Sequence, residues 1–175
     1  EDLETINSGL DARRVLIDKG SDLVAHLKQG APYSDELDRE FGRIYRTNTF
    51  TLNRASYESM KANGFQIISN DELRRRIINV YEENYRNADY VIEVERENIL
   101  NILRPHYLQK FEELNFGESA TPIDYQSLLD DTEFINILDY RVRSLLLADI
   151  PIFSTISGNI EMLIRAIDDE TGVRP

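Results

Sequence analysis

Two histidines, nine tyrosines and 32 carboxylates are the groups with which this chain could do chemistry, and cysteine is absent. The lack of cysteine removes disulfides, thiolate nucleophiles and Cys-ligated zinc together. Neither His26 nor His106 has a Glu three residues before it, so the Glu-x-x-His pair of di-iron bundles is missing, as is His-Glu-x-x-His. No Gly-x-Ser-x-Gly elbow, Walker loop or Gly-x-Gly-x-x-Gly turn occurs, and the eight glycines are scattered singly. Catalytic, metal and cofactor readings therefore have no motif behind them, and the expectation is a protein that is not an enzyme and holds no cofactor.

Three constellations remain. Glu95 falls on the apolar seam of a long helical pattern and Arg13 on the seam of another, where a charge is costly unless paired or turned to solvent. A buried Arg13–Glu95 pair fixing helix register is one reading; seams that rotate outward at both places are the other. Tyr57, Tyr81, Tyr85, Tyr107 and Phe50 could line a cleft for a small ligand or could be core, since aromatics at helical spacing serve both ends. In "ADIPIFSTISGN", Pro151 removes the backbone hydrogen bond to Leu147 and Gly158 loosens the following turns. The spacing predicts a bend or break there, beside Asp149, Ser154, Ser157 and Asn159, which could open a polar pocket or merely follow the core. The candidate ligand or interaction residues are thus Tyr57, Asn70, Tyr85, Asp149, Ser154 and Asn159.

The elements that must position these residues are almost all helical. Ile78, Tyr81, Tyr85, Ala88, Ile92, Glu95, Ile99 and Ile102 recur in alternating steps of three and four, the seam of a long packed helix. Leu3, Ile6, Leu10, Ile17, Val24 and Leu27 give a first seam, with Arg13 and Gly20 between them; Ile135, Leu138, Val142, Leu145, Ile152, Ile156 and Leu163 give a last one. Shorter helices lie between, with Ser34, Asn53 and Thr121–Pro122 as starts and Gly64 as a stop. Ser69 with Glu72 reads as a capping box and Asp130 with Glu133 as an acidic start. "FQII" alone looks extended, too little for a sheet. The fold class expected is an all-α, elongated bundle of three long amphipathic helices with short connecting helices, forming one domain over residues 1–175, frayed from Asp169 to Pro175.

Charge narrows the partners. A formal net charge of -12 repels phosphate backbones, so nucleic acid is not expected, and consecutive Arg74, Arg75 and Arg76 point about 100° apart on a helix rather than forming one patch. No window reads as a membrane span; the nearest, "LLLADIPIF", is short and holds Asp149 and Pro151. The chain opens on Glu1 rather than Met, which leaves room for a preceding signal or anchor.

The stretch from Tyr45 to Tyr85 resembles the signature region of a bacterial family of single-pass membrane proteins with no established activity. The matching positions are Tyr57, Glu58, Ser59, Met60, Asn63, Gly64, Ile68, Ser69, Asn70, Glu72, Leu73 and Arg74, with Met60 standing where the family has Leu. "DYQSLLDDTEFINILDYRVRSL", Asp124 to Leu145, is similar to that family's second block. The resemblance implies an N-terminal transmembrane helix ahead of this domain, preceded by basic residues, and the positive-inside rule then puts the domain in the periplasm, anchored to the inner membrane. It implies no reaction. The expected function is a membrane-tethered, extracytoplasmic binding or sensory module acting through an unknown protein partner or small ligand. The alternatives are a homo-oligomerising structural scaffold of the envelope and, further off, an enzyme with a pocket near Pro151.

Overall fold

The computed structural model describes residues 1–115 and 117–172. The protein is all-α, a helical bundle with one small hairpin. Helix α1 (Asp2–Lys28) leads into two short helices, α2 (Glu36–Ile44) and α3 (Ala55–Asn63). A long rod follows over residues 71–110: α4 (Asp71–Asn79), a π turn (Val80–Asn84), α5 (Tyr85–Glu97), a second π turn (Asn98–Leu103) and α6 (Arg104–Lys110). The antiparallel strands β1 (Phe111–Asn115) and β2 (Ser119–Pro122) pair Phe111 with Pro122 and Glu112 with Thr121, with a bulge before Asn115 meets Ser119. The short helix α7 (Tyr125–Asp130) then precedes the second long rod: α8 (Thr132–Ser144), a π turn (Leu145–Asp149) and α9 (Ile150–Thr171).

The three long elements are the expected ones, but their seams slip by a residue, both within α-helices (Leu16 for Ile17 in α1, Ile77 for Ile78 in α4, Val91 for Ile92 in α5) and where the π turns fall. A π turn inserts one residue, so the side chain facing the core moves on by one. The buried positions of the first rod run Leu73, Ile77, Val80, Asn84, Tyr85, Ala88, Val91, Glu95, Ile99, Leu103 and Tyr107, so that Ile77, Val80 and Val91 stand in for the expected Ile78, Tyr81 and Ile92, which are half-buried. Leu103 thus takes the place expected for Ile102, which is exposed. On the second rod Leu145, Asp149 and Phe153 follow in steps of four across the π turn, so Phe153 replaces Ile152 on the core face. The break expected at Pro151 is this π turn. Proline lacks the N–H that would bond Leu147 and its ring crowds that carbonyl, so the ladder widens one turn earlier and α9 runs unbroken through Gly158.

The caps differ by a residue from the sequence reading. Asn70, not Ser69, starts α4, its side-chain oxygen accepting from the N–H groups of Glu72 and Leu73; Asp131, not Asp130, starts α8 by accepting from Phe134 N–H. Asp35 precedes α2 and Arg54 precedes α3, with Asn53 Oδ1 accepting from Ala55 N–H. Gly64 ends α3 at φ +75, as its place after Asn63 predicts. "FQI" (Phe65–Ile67) is a 3₁₀ turn. Thr121 and Pro122 lie in β2 rather than in a helix, which begins after Asp124. Helix α9 reaches Thr171, so Asp169 to Thr171 are helical where fraying was expected, and residues 173–175 of that expectation lie outside the described ones.

Two apolar cores result. The hairpin core gathers Leu16, Leu23 and Leu27 of α1, Phe41 and Ile44 of α2, Leu103, Tyr107 and Phe111, Ala120 of β2, and Phe134 to Leu145 of α8 and its π turn. The connector core gathers Ile6 and Leu10 of α1, Leu52, Tyr57, Leu73 to Val91 of the first rod, and Phe153 to Leu163 of α9. One stretch of the 132–171 rod is long and apolar enough to cross a membrane by length and composition, contrary to the sequence reading. Only 33% of that stretch is buried; the buried apolar residues of the rod divide between the two cores, while Leu146, Leu147, Met162, Ile164 and Ile167 are exposed.

Candidate functional site

Between the cores lies a buried charge cluster. Arg13, Glu95, Arg141 and Asp149 are 0%, 3%, 3% and 4% exposed, one or two from each long element. Three of them stand on their seams between apolar neighbours that belong to different cores: Arg13 between Leu10 and Leu16, Glu95 between Val91 and Ile99, Asp149 between Leu145 and Phe153; Arg141 lies one position off its seam, beside Leu138 and Val142 of the hairpin core. The Arg13 Nη2 donates to Glu95 Oε2 at 2.5 Å and its Nε to Asp149 Oδ2 at 3.1 Å; Arg141 Nη2 donates to Glu95 Oε1 at 2.7 Å. The Arg13–Glu95 pairing suggested by the seams is therefore real, with two further charges making a neutral set of four.

The connection between α2 and α3 completes the cluster with backbone groups. Arg141 Nη2 donates to Arg46 O at 3.0 Å, Arg13 Nη2 to Asn48 O at 3.0 Å, and Asn48 N–H to Glu95 Oε1 at 3.3 Å. The Arg13 guanidinium also lies 4.5 Å from the Phe153 ring centroid and 5.7 Å from that of Phe50, positions that suit a cation over π faces. Among the described residues, Arg141 Nε and Asn48 Nδ2 are buried without a hydrogen-bond partner, so the cluster is not fully satisfied.

The two carboxylates are not equivalent. Burial pushes Glu95 up, but the charges of Arg141 and Arg13, with the hydrogen bonds from Arg141 and the Asn48 N–H, outweigh it and hold the group below the usual carboxylate range. Asp149 is pushed up to about 6, first by burial and then by the neighbouring Glu95 charge, which its single bond from Arg13 does not offset. Two arginines serve Glu95 and one serves Asp149, so Asp149 is the carboxylate that gives way first to a proton.

The six residues singled out from the sequence do not surround one cavity. Asp149 belongs to the charge cluster. Tyr57 and Tyr85 are joined through Tyr81, whose ring stacks on Tyr57 at 4.5 Å and tilts against Tyr85 at 4.7 Å. Their hydroxyls donate to Glu82 and Asp2 at 2.7 and 2.6 Å, and burial, then these carboxylates, push both phenols far above the ordinary tyrosine value. Asn159 donates to Asn84 Oδ1 at 2.9 Å, next to Tyr85. Asn70 caps α4 and lines a cleft at the end of the bundle with Glu72, Arg76, Arg165 and Glu170, while Ser154 is exposed. Tyr107, also proposed for a cleft, lies in the hairpin core and donates to Phe41 O at 2.8 Å.

Sequence reasoning missed Arg141, which sits one position off the last seam and gave no signal beyond being a cation inside an apolar repeat. It also missed a cleft of about 500 Å3 lined by Tyr45, Arg46, Thr47, Arg96, Ile99, Leu100, Arg104 and Gly117, assembled from segments distant in the chain. Among the described residues no group of three or more His, Asp or Glu side chains is arranged to hold a metal ion. Compared with protein-family models, curated proteins and solved structures, the chain has no match.

Proposed function

We propose that this domain is a non-catalytic binding or sensory module in which the three long helices are held in register by the buried charge cluster. The observation that supports it is the place of that cluster: it joins α1 and both rods at the boundary of two separate cores, with a π turn starting three residues after Glu95 on one rod and one ending at Asp149 on the other. Buried ion pairs are a poor source of net stability but fix register, and π turns recur at functional sites where a helix must take up an altered ladder. A displacement at one end of such rods is carried to the other through a boundary that tolerates discrete arrangements rather than continuous slip. On the family resemblance, the full-length protein is tethered by an N-terminal span with this domain in the periplasm. Protease added outside spheroplasts with intact inner membranes should then cleave the domain, and protection from it would overturn that address.

The second reading, an oligomerising envelope scaffold, has its own support. Tyr90 and Val94 are exposed one turn apart on α5, and exposed Ile102 and Tyr140 meet in a groove between the two rods. Native mass spectrometry on protein purified gently from its host separates the two. A reproducible extra mass on a monomer or dimer is the expected result for a binding module. A bare, homogeneous higher oligomer would overturn that reading in favour of the scaffold.

A further inference from the structure

On a chain of net charge -12, the cleft against the second π turn gathers three arginines: Arg46 from the α2–α3 connection, Arg96 from α5 and Arg104 from α6. Among the described residues two of the three, like Arg39 and Arg86 elsewhere, lack the ion pair that most surface cations have. Arg74, Arg75 and Arg76 are each paired with Asp71 or Glu72 on their own helix. Arg96 is bonded to Glu93, and it also approaches Glu97. Arg46 and Arg104, by contrast, have no carboxylate partner among the described residues. Burial pushes the Tyr45 hydroxyl up while the Arg104 charge opposes it, which puts that guanidinium's field inside the cleft.

The cleft is built rather than incidental. The aliphatic stem of Arg46 lies against Gly117, which holds φ +78; a Cβ there would come within 3.2 Å of Arg46 Cγ, so glycine is what lets the stem settle. Its apolar floor is Ile99 and Leu100, both in the π turn, together with Tyr45. A volume of about 500 Å3 is that of a small-molecule site. Guanidinium groups recognise planar or tetrahedral oxyanions by paired N–H donors.

We propose that this cleft binds a small organic anion, its carboxylate or phosphate held by Arg46 and Arg104 and its apolar body laid on Ile99 and Leu100. This deepens the binding reading and rests on it for its consequence. The backbone of residues 46–48 has the cleft on one side and the charge cluster on the other, since Arg46 O, Asn48 O and Asn48 N–H all bond the buried charges. A ligand that draws the Arg46 side chain outward pulls on the same backbone that accepts from Arg141.

Isothermal titration with phenyl phosphate, against sodium chloride at equal ionic strength, tests the site. Saturable one-to-one binding is expected, weaker for inorganic phosphate, and reduced about tenfold or more in the Arg46→Gln/Arg104→Gln protein. Both residues are exposed, so the variant should keep the parent's thermal midpoint, and that midpoint is measured alongside. No saturable binding, or an unchanged Kd in the folded variant, would overturn the site. Hydrogen exchange with and without phenyl phosphate tests the coupling separately. Faster exchange at Asn48, whose N–H bonds Glu95, is expected as the pull loosens that bond; binding that leaves it unchanged or slower would keep the site but overturn its sensory consequence.

Discussion

The two cores are closed in different ways. The hairpin core is aromatic at its centre: Phe41, Tyr107, Phe111 and Phe134 pack with ring centroids between 4.5 and 5.9 Å apart, and the Tyr107 hydroxyl is bonded to a backbone carbonyl. Its hairpin is pressed so closely on α2 that a Cβ at Gly42 would lie 2.2 Å from Ser119 N. The connector core is instead rimmed by polar side-chain bonds, Ser157 to Asn7 at 2.7 Å, Asn159 to Asn84 at 2.9 Å, Tyr57 to Glu82 and Tyr85 to Asp2. Side-chain bonds at a partly wet rim are exchanged for bonds to water at little net cost, whereas opening an aromatic core forfeits packing as well. On this contrast we expect the connector half to open before the hairpin half, with the charge cluster at the boundary between them.

The most severe way to break that arrangement is at the boundary itself. Glu95→Gln leaves two buried guanidiniums facing one carboxylate, and removal of one partner from a buried pair costs about 3–5 kcal/mol. Urea denaturation should show that loss, and a loss below about 1 kcal/mol would mean the charges are not shared between the halves. A cycle pairing it with Arg13→Met should show strong coupling. Gly42→Ala strikes the hairpin half alone. The new methyl meets β2 backbone rather than a flexible side-chain end, so overpacking should cost about 3 kcal/mol. Hydrogen exchange should then rise in α2 and the hairpin before it rises in α4. Equal loss in both halves would collapse the distinction between them.

A gentler probe uses protons. Asp149 is an acid whose folded value, about 6, stands above its ordinary 3.8, so between those values the folded state holds a proton that the unfolded state has released. Its ionisation therefore subtracts stability as pH rises through about 6, and that cost is relieved as pH falls toward 4. Glu95 acts in the opposite sense: its folded value is lowered, so its contribution is complete above the ordinary carboxylate range and is lost only as pH falls through that lowered value. Asp149→Asn should cancel the first effect, so the stability difference between parent and variant should change by about 2 kcal/mol between pH 7.5 and 4.5. A constant difference across that interval would show that Asp149 is not the yielding member of the cluster.

Much of this was legible in the sequence, and where it was not the reason is physical. Helical periodicity reveals three long rods because amphipathic seams record which face is buried, and the seam charges Arg13 and Glu95 were visible for the same reason. The π turns were not visible, because a single inserted residue leaves the local repeat intact and shows only as a slip from Ile102 to Leu103 and from Ile152 to Phe153. The hairpin was missed since "SATP" suits a helix start as well as a strand, and only packing on Gly42 decides between them. The arginine cleft could not be read at all: Arg46 lies some fifty residues before Arg96 and Arg104, which share one rod, while the conspicuous run Arg74–Arg76 spends its charge on its own helix.

The smallest expected effect bears on the half expected to open first. Tyr85→Phe removes only the hydroxyl that donates to Asp2, leaving the ring against Tyr81 and beneath the Arg54 guanidinium at 5.5 Å. Asp2 belongs to the first turn of α1, so the bond fastens the start of that helix to the first rod at the outer end of the connector core. Its loss should cost about 1 kcal/mol in global stability, the net worth of one hydrogen bond at a partly wet site. Its local consequence should be larger in kind: the first turns of α1 should exchange amide hydrogens faster, while Leu23 to Leu27, on the hairpin side of Arg13, keep their protection. If protection instead falls evenly along α1, the charge cluster does not divide the helix into two regimes, and the bundle opens as one body.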